Sequence, residues 1–135
     1  MVGLFSFFTH TQKAGGHIEA AASAASMLAP EDVQDAFHKA MANALGFLSE
    51  GSVEGERQSA VALELALACF ARQQAEAGRE AGAAMRVKAR PVLVALLQMS
   101  AKEHGDLIQA RRMTARAAID RTLETFAAMR AEDRA

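Results

Sequence analysis

The sequence predicts an all-α protein, a single compact up-and-down bundle of four or five helices, and three observations lead there. Its apolar material is mostly alanine with leucine and methionine, while the β-branched and aromatic residues that favour strands are scarce. Apolar residues recur at three- and four-residue spacing, with no convincing run of polar–apolar alternation. Two prolines, Pro30 and Pro91, and nine glycines punctuate the chain. With 135 residues, 51% of them hydrophobic and 23% charged, the chain has room for one core and no second domain.

Residues 1–16 read as an apolar arm and linker, 17–131 as the bundle and 132–135 as a loose tail. In the arm, Leu4, Phe5, Phe7 and Phe8 stand almost unbroken, three of the seven phenylalanines within four residues. A first helix follows from His17, carrying Ile18, Ala21, Ala22, Ala25 and Leu28 on one face, and Pro30 ends it. Pro30 also opens the second helix, with Glu31 and Asp32 where the helix dipole favours negative charge. Val33, Phe37, Ala40, Met41, Ala44, Leu45 and Leu48 form its buried stripe. Gly51 and Gly55 are expected to break the chain there, so that a third helix begins near Glu56.

From Ala60 to Ala71 that third helix is apolar nearly all round, which marks it as central, and Gly78 and Gly82 predict a frayed or bent end. Pro91 is expected to start helix four, "PVLVALLQMSAKEH", with Gly105 as its C-terminal cap. Asp106 with Gln109 then resembles a capping box for helix five; one continuous helix through Gly105 is the alternative. Helix five is predicted to face Ile108, Ala115, Ile119, Leu123 and Phe126 inward, with Arg116–Asp120 and Arg121–Glu124 as solvent-side ion pairs.

Net charge is −1, and nothing in it calls for nucleic acid or an anionic membrane. The halves differ: residues 1–67 hold three bases and eight acids, residues 68–135 twelve bases and eight acids. Acidic helices packing beside basic ones explain this most simply, and a partner surface is the other explanation. The lone Cys69 fits a reducing cytoplasm and, on the central helix, an inert small hydrophobe. The run Ala60–Ala71 contains Glu64 and is too short to span a bilayer. The N-terminus lacks the basic region of a secretory signal, and Gly3 is misplaced for myristoylation.

No phosphate-binding loop, nucleophile elbow, HExxH or paired CxxC occurs, so no enzyme is indicated and no cofactor is called for. Glu31, Asp35 and His38 share a helix flank, but a di-metal carboxylate bundle needs Glu-x-x-His, which is missing; no metal site is assigned. The stretch "FHKAMANALG", Phe37 to Gly46, partly resembles a histidine phosphotransfer domain, itself a helical bundle. His38, Lys39 and Gly46 carry the likeness, while Met41 and Ala42 stand where that family places Lys and a small Gly. It implies a phosphoryl-accepting His38, the last of three readings. The second is a nucleic-acid-associated accessory protein using "RVKAR" (Arg86–Arg90) with Arg111, Arg112 and Arg116; acids interrupt that region and no aromatics interleave for base stacking.

The leading expectation is a small cytoplasmic, non-enzymatic, regulatory or adaptor protein that acts by binding a protein partner or by self-association as a homo-oligomer, most simply a dimer. Leu4, Phe5, Phe7 and Phe8 would dock, and Arg111, Arg112 and Arg116 would form an electrostatic face. The arm is expected to be covered by the groove of its own bundle, by a second copy or partner, or by peripheral contact with a membrane surface. Burying Phe5, Phe7 and Phe8 contributes roughly 1.5 to 3 kcal/mol per side chain.

Overall fold

The structure, a computed structural model, describes residues 18–79 and 81–134. Within them the chain forms five α-helices and no strand: α1 (Ile18–Ser26), α2 (Val33–Leu48), α3 (Val53–Glu76), α4 (Ala83–Gln109) and α5 (Ala115–Arg134). They pack as an all-α bundle in which α3 touches α1, α2 and α4, and α2 touches α5. No described helix is long and apolar enough to cross a membrane.

Helix α2 is the element closest to expectation. A 3-10 turn over Pro30–Asp32 leads into it, and Val33, Phe37, Ala40, Met41, Ala44 and Leu45 are buried along one stripe. Gly51, at φ +70°, turns the chain back. Helix α3 then starts three residues earlier than predicted, because Ser52 caps it by accepting from the Gly55 amide at 2.9 Å. Gly55 is therefore not a breaker but a helix residue, and a Cβ there would collide with the backbone carbonyl of Phe47. That absence of a side chain lets the α2–α3 hairpin close, and the Ser59 hydroxyl donates to the Ala44 carbonyl at 2.6 Å across it.

Helix α3 ends cleanly rather than fraying. Gly78 takes φ +73°, and the amides of Arg79 and Gly78 bond back to the carbonyls of Gln74 and Ala75. The core is a contiguous cluster of Ala, Leu and Val from all five helices, with Leu63, Leu67, Leu97 and Ile119 among its fully buried members. Cys69 belongs to it, and burial pushes its thiol pKa up, as suits an inert side chain.

Helix α4 departs most from expectation. It begins at Ala83 with Gly82 (φ +87°) as its N-cap, passes through Pro91, and continues through Gly105 to Gln109. The preceding AAMRVKAR is rich in strong helix formers, and Pro91 is exposed, so the Val87 carbonyl freed by the missing N–H faces the solvent side. Gly105 is thus not a cap, and Asp106 and Gln109 belong to α4 rather than opening helix five. The side chain of Gln109 donates to the Ser49 carbonyl, pinning the end of α4 to the end of α2. Ile108 therefore sits on α4, not α5.

The true cap is Arg111. It adopts φ +58°, and the amides of Arg112 and Arg111 bond back to Leu107 and Ile108, the geometry that glycine ordinarily serves. Thr114 then caps α5 by accepting from the Ala117 amide at 3.1 Å, and α5 runs to Arg134, past the predicted bundle limit at residue 131. A non-glycine in the left-handed region costs about 1 kcal/mol. Arg111→Gly is therefore expected to raise stability by about that amount, partly offset by the extra backbone freedom of glycine when unfolded; an unchanged or lower midpoint in urea would contradict it.

Candidate docking groove

The chain has only four phenylalanines beyond its first eight residues, and three of them, Phe37, Phe70 and Phe126, line one groove between α2, α3, α4 and α5. The cavity is about 520 Å³. That lies within the roughly 300–1,000 Å³ range of ligand sites. Phe37 on α2 and Phe70 on α3 meet at 6.2 Å between ring centroids, tilted by 43°. Met85, Ala89, Val92, Leu93 and Leu96 of α4 supply the long wall, and Leu123 and Phe126 of α5 the other. Alanine at position 89 keeps the floor low, since a larger side chain there would fill the space.

The rim is cationic. Lys88 and Arg130 stand on it, and the Arg130 guanidinium sits 5.7 Å from the centre of the Phe126 ring, a cation–π arrangement. No Asp or Glu occurs among the described residues that line the groove. His38 contributes one edge. Its Nδ1 lies 2.9 Å from Asp120 Oδ1, and its ring meets Phe37 edge-on at 5.6 Å. With Nδ1 engaged, only Nε2 of His38 remains for other partners.

Arg116 does not pair with Asp120 along α5. Its Nη1 donates to Asp35 of α2 at 2.7 Å, so both members of the predicted α5 pair reach α2 instead. The guanidinium hydrogen bond holds the Asp35 carboxyl below its ordinary pKa. Any stabilisation from this exposed pair is present above the ordinary carboxylate range and fades as pH falls through the depressed value. Two ion pairs link the oppositely charged halves: Asp35–Arg116 and Glu64–Arg90 each join an acid of the first to a base of the second.

The sequence-derived binding residues are scattered by the fold. Leu4, Phe5, Phe7 and Phe8 lie outside the described residues. Arg111 and Arg112 sit in the turn after α4 and Arg116 in the first turn of α5. Arg86, Lys88 and Arg90 lie near the start of α4, 19 to 23 residues before its last residue, or roughly 28 to 35 Å along the helix at about 1.5 Å per residue. The two basic clusters thus form no single stripe along it, and Arg90 is spent on Glu64, donating from Nη2 to both carboxylate oxygens at 2.6 and 2.9 Å. Glu31, Asp35 and His38 do not converge either, and no group of three His, Cys, Asp or Glu side chains suited to a metal forms among the described residues.

The groove was not singled out in the sequence because Phe37, Phe70 and Phe126 read equally well as core. A signal was present in α4. Apolar residues occupy both of its faces, and Val87, Val92 and, across on α5, Met129 remain 66, 48 and 51% exposed. No family model matches the chain, and no curated protein or solved structure matches it either.

Proposed function

We propose that this chain is a non-enzymatic helical protein that works by binding another protein, and that the groove walled by Phe37, Phe70 and Phe126 is its docking face. One observation carries the reading: α4 is apolar on two faces, and among the described residues the bundle covers only one of them. A helix apolar on two sides is stable in water when both are packed. Aromatic and methionine side chains round a concave apolar surface are the anchors that protein interfaces favour. The apolar segment Leu4–Phe8 is proposed as a second contact, and the role of the protein as an adaptor, regulator or subunit follows from the same reading.

Photo-crosslinking in the native host tests it. A benzoylphenylalanine at Val92 or Met129 is expected to trap a protein partner, whereas one at exposed Lys102 is not. Equal crosslinking from both faces would remove the groove as the docking site. Light scattering on the full chain and on one lacking residues 1–9 decides the part played by the apolar segment: identical mass and stability would end its role within a homo-oligomer.

A further inference from the structure

An open hollow of about 210 Å³ lies between α1, α3 and the start of α4, and it shares no lining residue with the aromatic groove. Its walls are alanines, among them Ala22 of α1 and Ala68, Ala71 and Ala75 of α3, whose short side chains leave the space. Two arginines line it as well, Arg72 of α3 and Arg86 of α4. No Asp or Glu occurs among the described residues that do so.

The two arginines differ in what they hold. Arg72 is anchored: its Nη1 donates to the Ala25 carbonyl at 2.6 Å and its Nε to Glu76 at 3.0 Å, which leaves Nη2 for a further acceptor. Arg86 has no ion pair among the described residues, and its Nη1 is buried without an acceptor. A buried donor left unmatched is costly, and one on a charged group more so. Gly82, the N-cap of α4, also lines the hollow; no side chain caps that end and its first turn carries no acid. The partial positive charge of the helix start therefore adds to that of Arg86. Residues 1–17 contain no Asp or Glu, so that segment brings no carboxylate to balance it.

We infer that this hollow binds the phosphoryl group of a small metabolite, whose oxygens accept from Arg86 Nη1 and Arg72 Nη2. Glu76 offsets Arg72, but Arg86 and the helix start leave the site net positive, which favours a charge-dense dianion over a monocarboxylate. The space is smaller than the roughly 300–1,000 Å³ of sites for drug-sized ligands, so the carbon part is short and lies against the alanines. Bound there, the ligand joins α1, α3 and the first turn of α4. This site is separate from the docking groove, and neither reading depends on the other.

Heteronuclear NMR of the full chain, titrated at constant ionic strength with inorganic phosphate, glycerol phosphate or acetate, tests it. Both phosphates are expected to give saturable shifts centred on Arg72, Gly82 and Arg86, with a dissociation constant on the order of 1 mM, as two charge-assisted hydrogen bonds would give. Acetate should bind about tenfold more weakly. Arg86→Gln should weaken phosphate by about tenfold. In phosphate-free buffer the same variant should keep or raise the urea midpoint, because Arg86 has no partner there to lose. Shifts that do not saturate, that acetate matches, or that survive Arg86→Gln would overturn the site. A lowered midpoint in Arg86→Gln would do so too, by showing that the fold already supplies an acceptor. So would phosphate binding that appears only in Glu80→Gln, which would make Glu80, outside the described residues, that acceptor.

Discussion

Replacing Arg90 by alanine is expected to destabilise the bundle by about 3 kcal/mol, the usual scale for leaving a buried charge without its partner. The Glu64 side chain has no exposure, while Arg90 retains 23%. Removing the arginine strands a carboxylate between α3 and α4 with nothing to replace its two hydrogen bonds. The reverse change is expected to cost less, because in Glu64→Leu the guanidinium can turn toward water along its flexible stem. The double replacement Glu64→Leu with Arg90→Met should recover most of the loss, since apolar side chains of similar size commonly match or exceed a buried pair. Urea unfolding followed by far-UV circular dichroism checks all three, as the chain has no Trp or Tyr to report by fluorescence. If Arg90→Ala and Glu64→Leu cost the same, burial of the carboxylate is not what sets the penalty.

Two glycines inside helices should respond to alanine with opposite signs. Helix propensity alone predicts a gain of about 1 kcal/mol at either site. At Gly105 a Cβ would meet no atom within 4 Å, so Gly105→Ala is expected to realise most of that gain. At Gly55 the same methyl would press into the Phe47 carbonyl and lie 3.0 Å from Ser52 Oγ and 3.1 Å from Glu50 Oε2. A backbone carbonyl cannot swing aside, so the α2–α3 hairpin must open and the Ser52 cap must shift. Overpacking of this kind costs typically 1–3 kcal/mol beyond any propensity gain. The midpoints of the two variants in urea should fall on opposite sides of the parent, and a rise for Gly55→Ala would mean that the hairpin is not closed as tightly as described.

These glycines also mark the limit of what was legible beforehand. Both read as punctuation in the sequence, and both lie within helices. Gly55 is there because of a contact with Phe47 on the preceding helix, and Gly105 because the residues around it are strong helix formers that carry one weak position. Conversely, the cap that ends α4 is Arg111, a residue with no intrinsic preference for a left-handed backbone. Pro91 misled for a related reason: proline is tolerated at a helix start, but a well-formed helix upstream and an exposed position let it be passed.

Of the functional surface, much less was readable. Arg116 and Asp120 suggested a local pair at four-residue spacing, yet each finds a partner on α2, and Arg90 turned from a candidate phosphate contact into the counter-ion of Glu64. Choices between a local partner and a distant one of similar chemistry depend on which helix faces arrive together. The same holds for Phe37, Phe70 and Phe126, whose spacing marks them as apolar-face residues without saying whether the face closes or leaves a groove.

By itself the sequence determined the all-α class, the stripe of α2, the central position of α3 and the lack of a recognisable catalytic motif, because helical periodicity and residue chemistry act over a few neighbouring positions. Only the tertiary structure decided where α3 and α4 begin, which charges pair, and that, among the described residues, three phenylalanines and one flank of α4 surround an open groove. Those outcomes hinge on contacts between residues tens of positions apart, where one missing Cβ or one buried carboxylate selects among packings that local periodicity leaves equivalent.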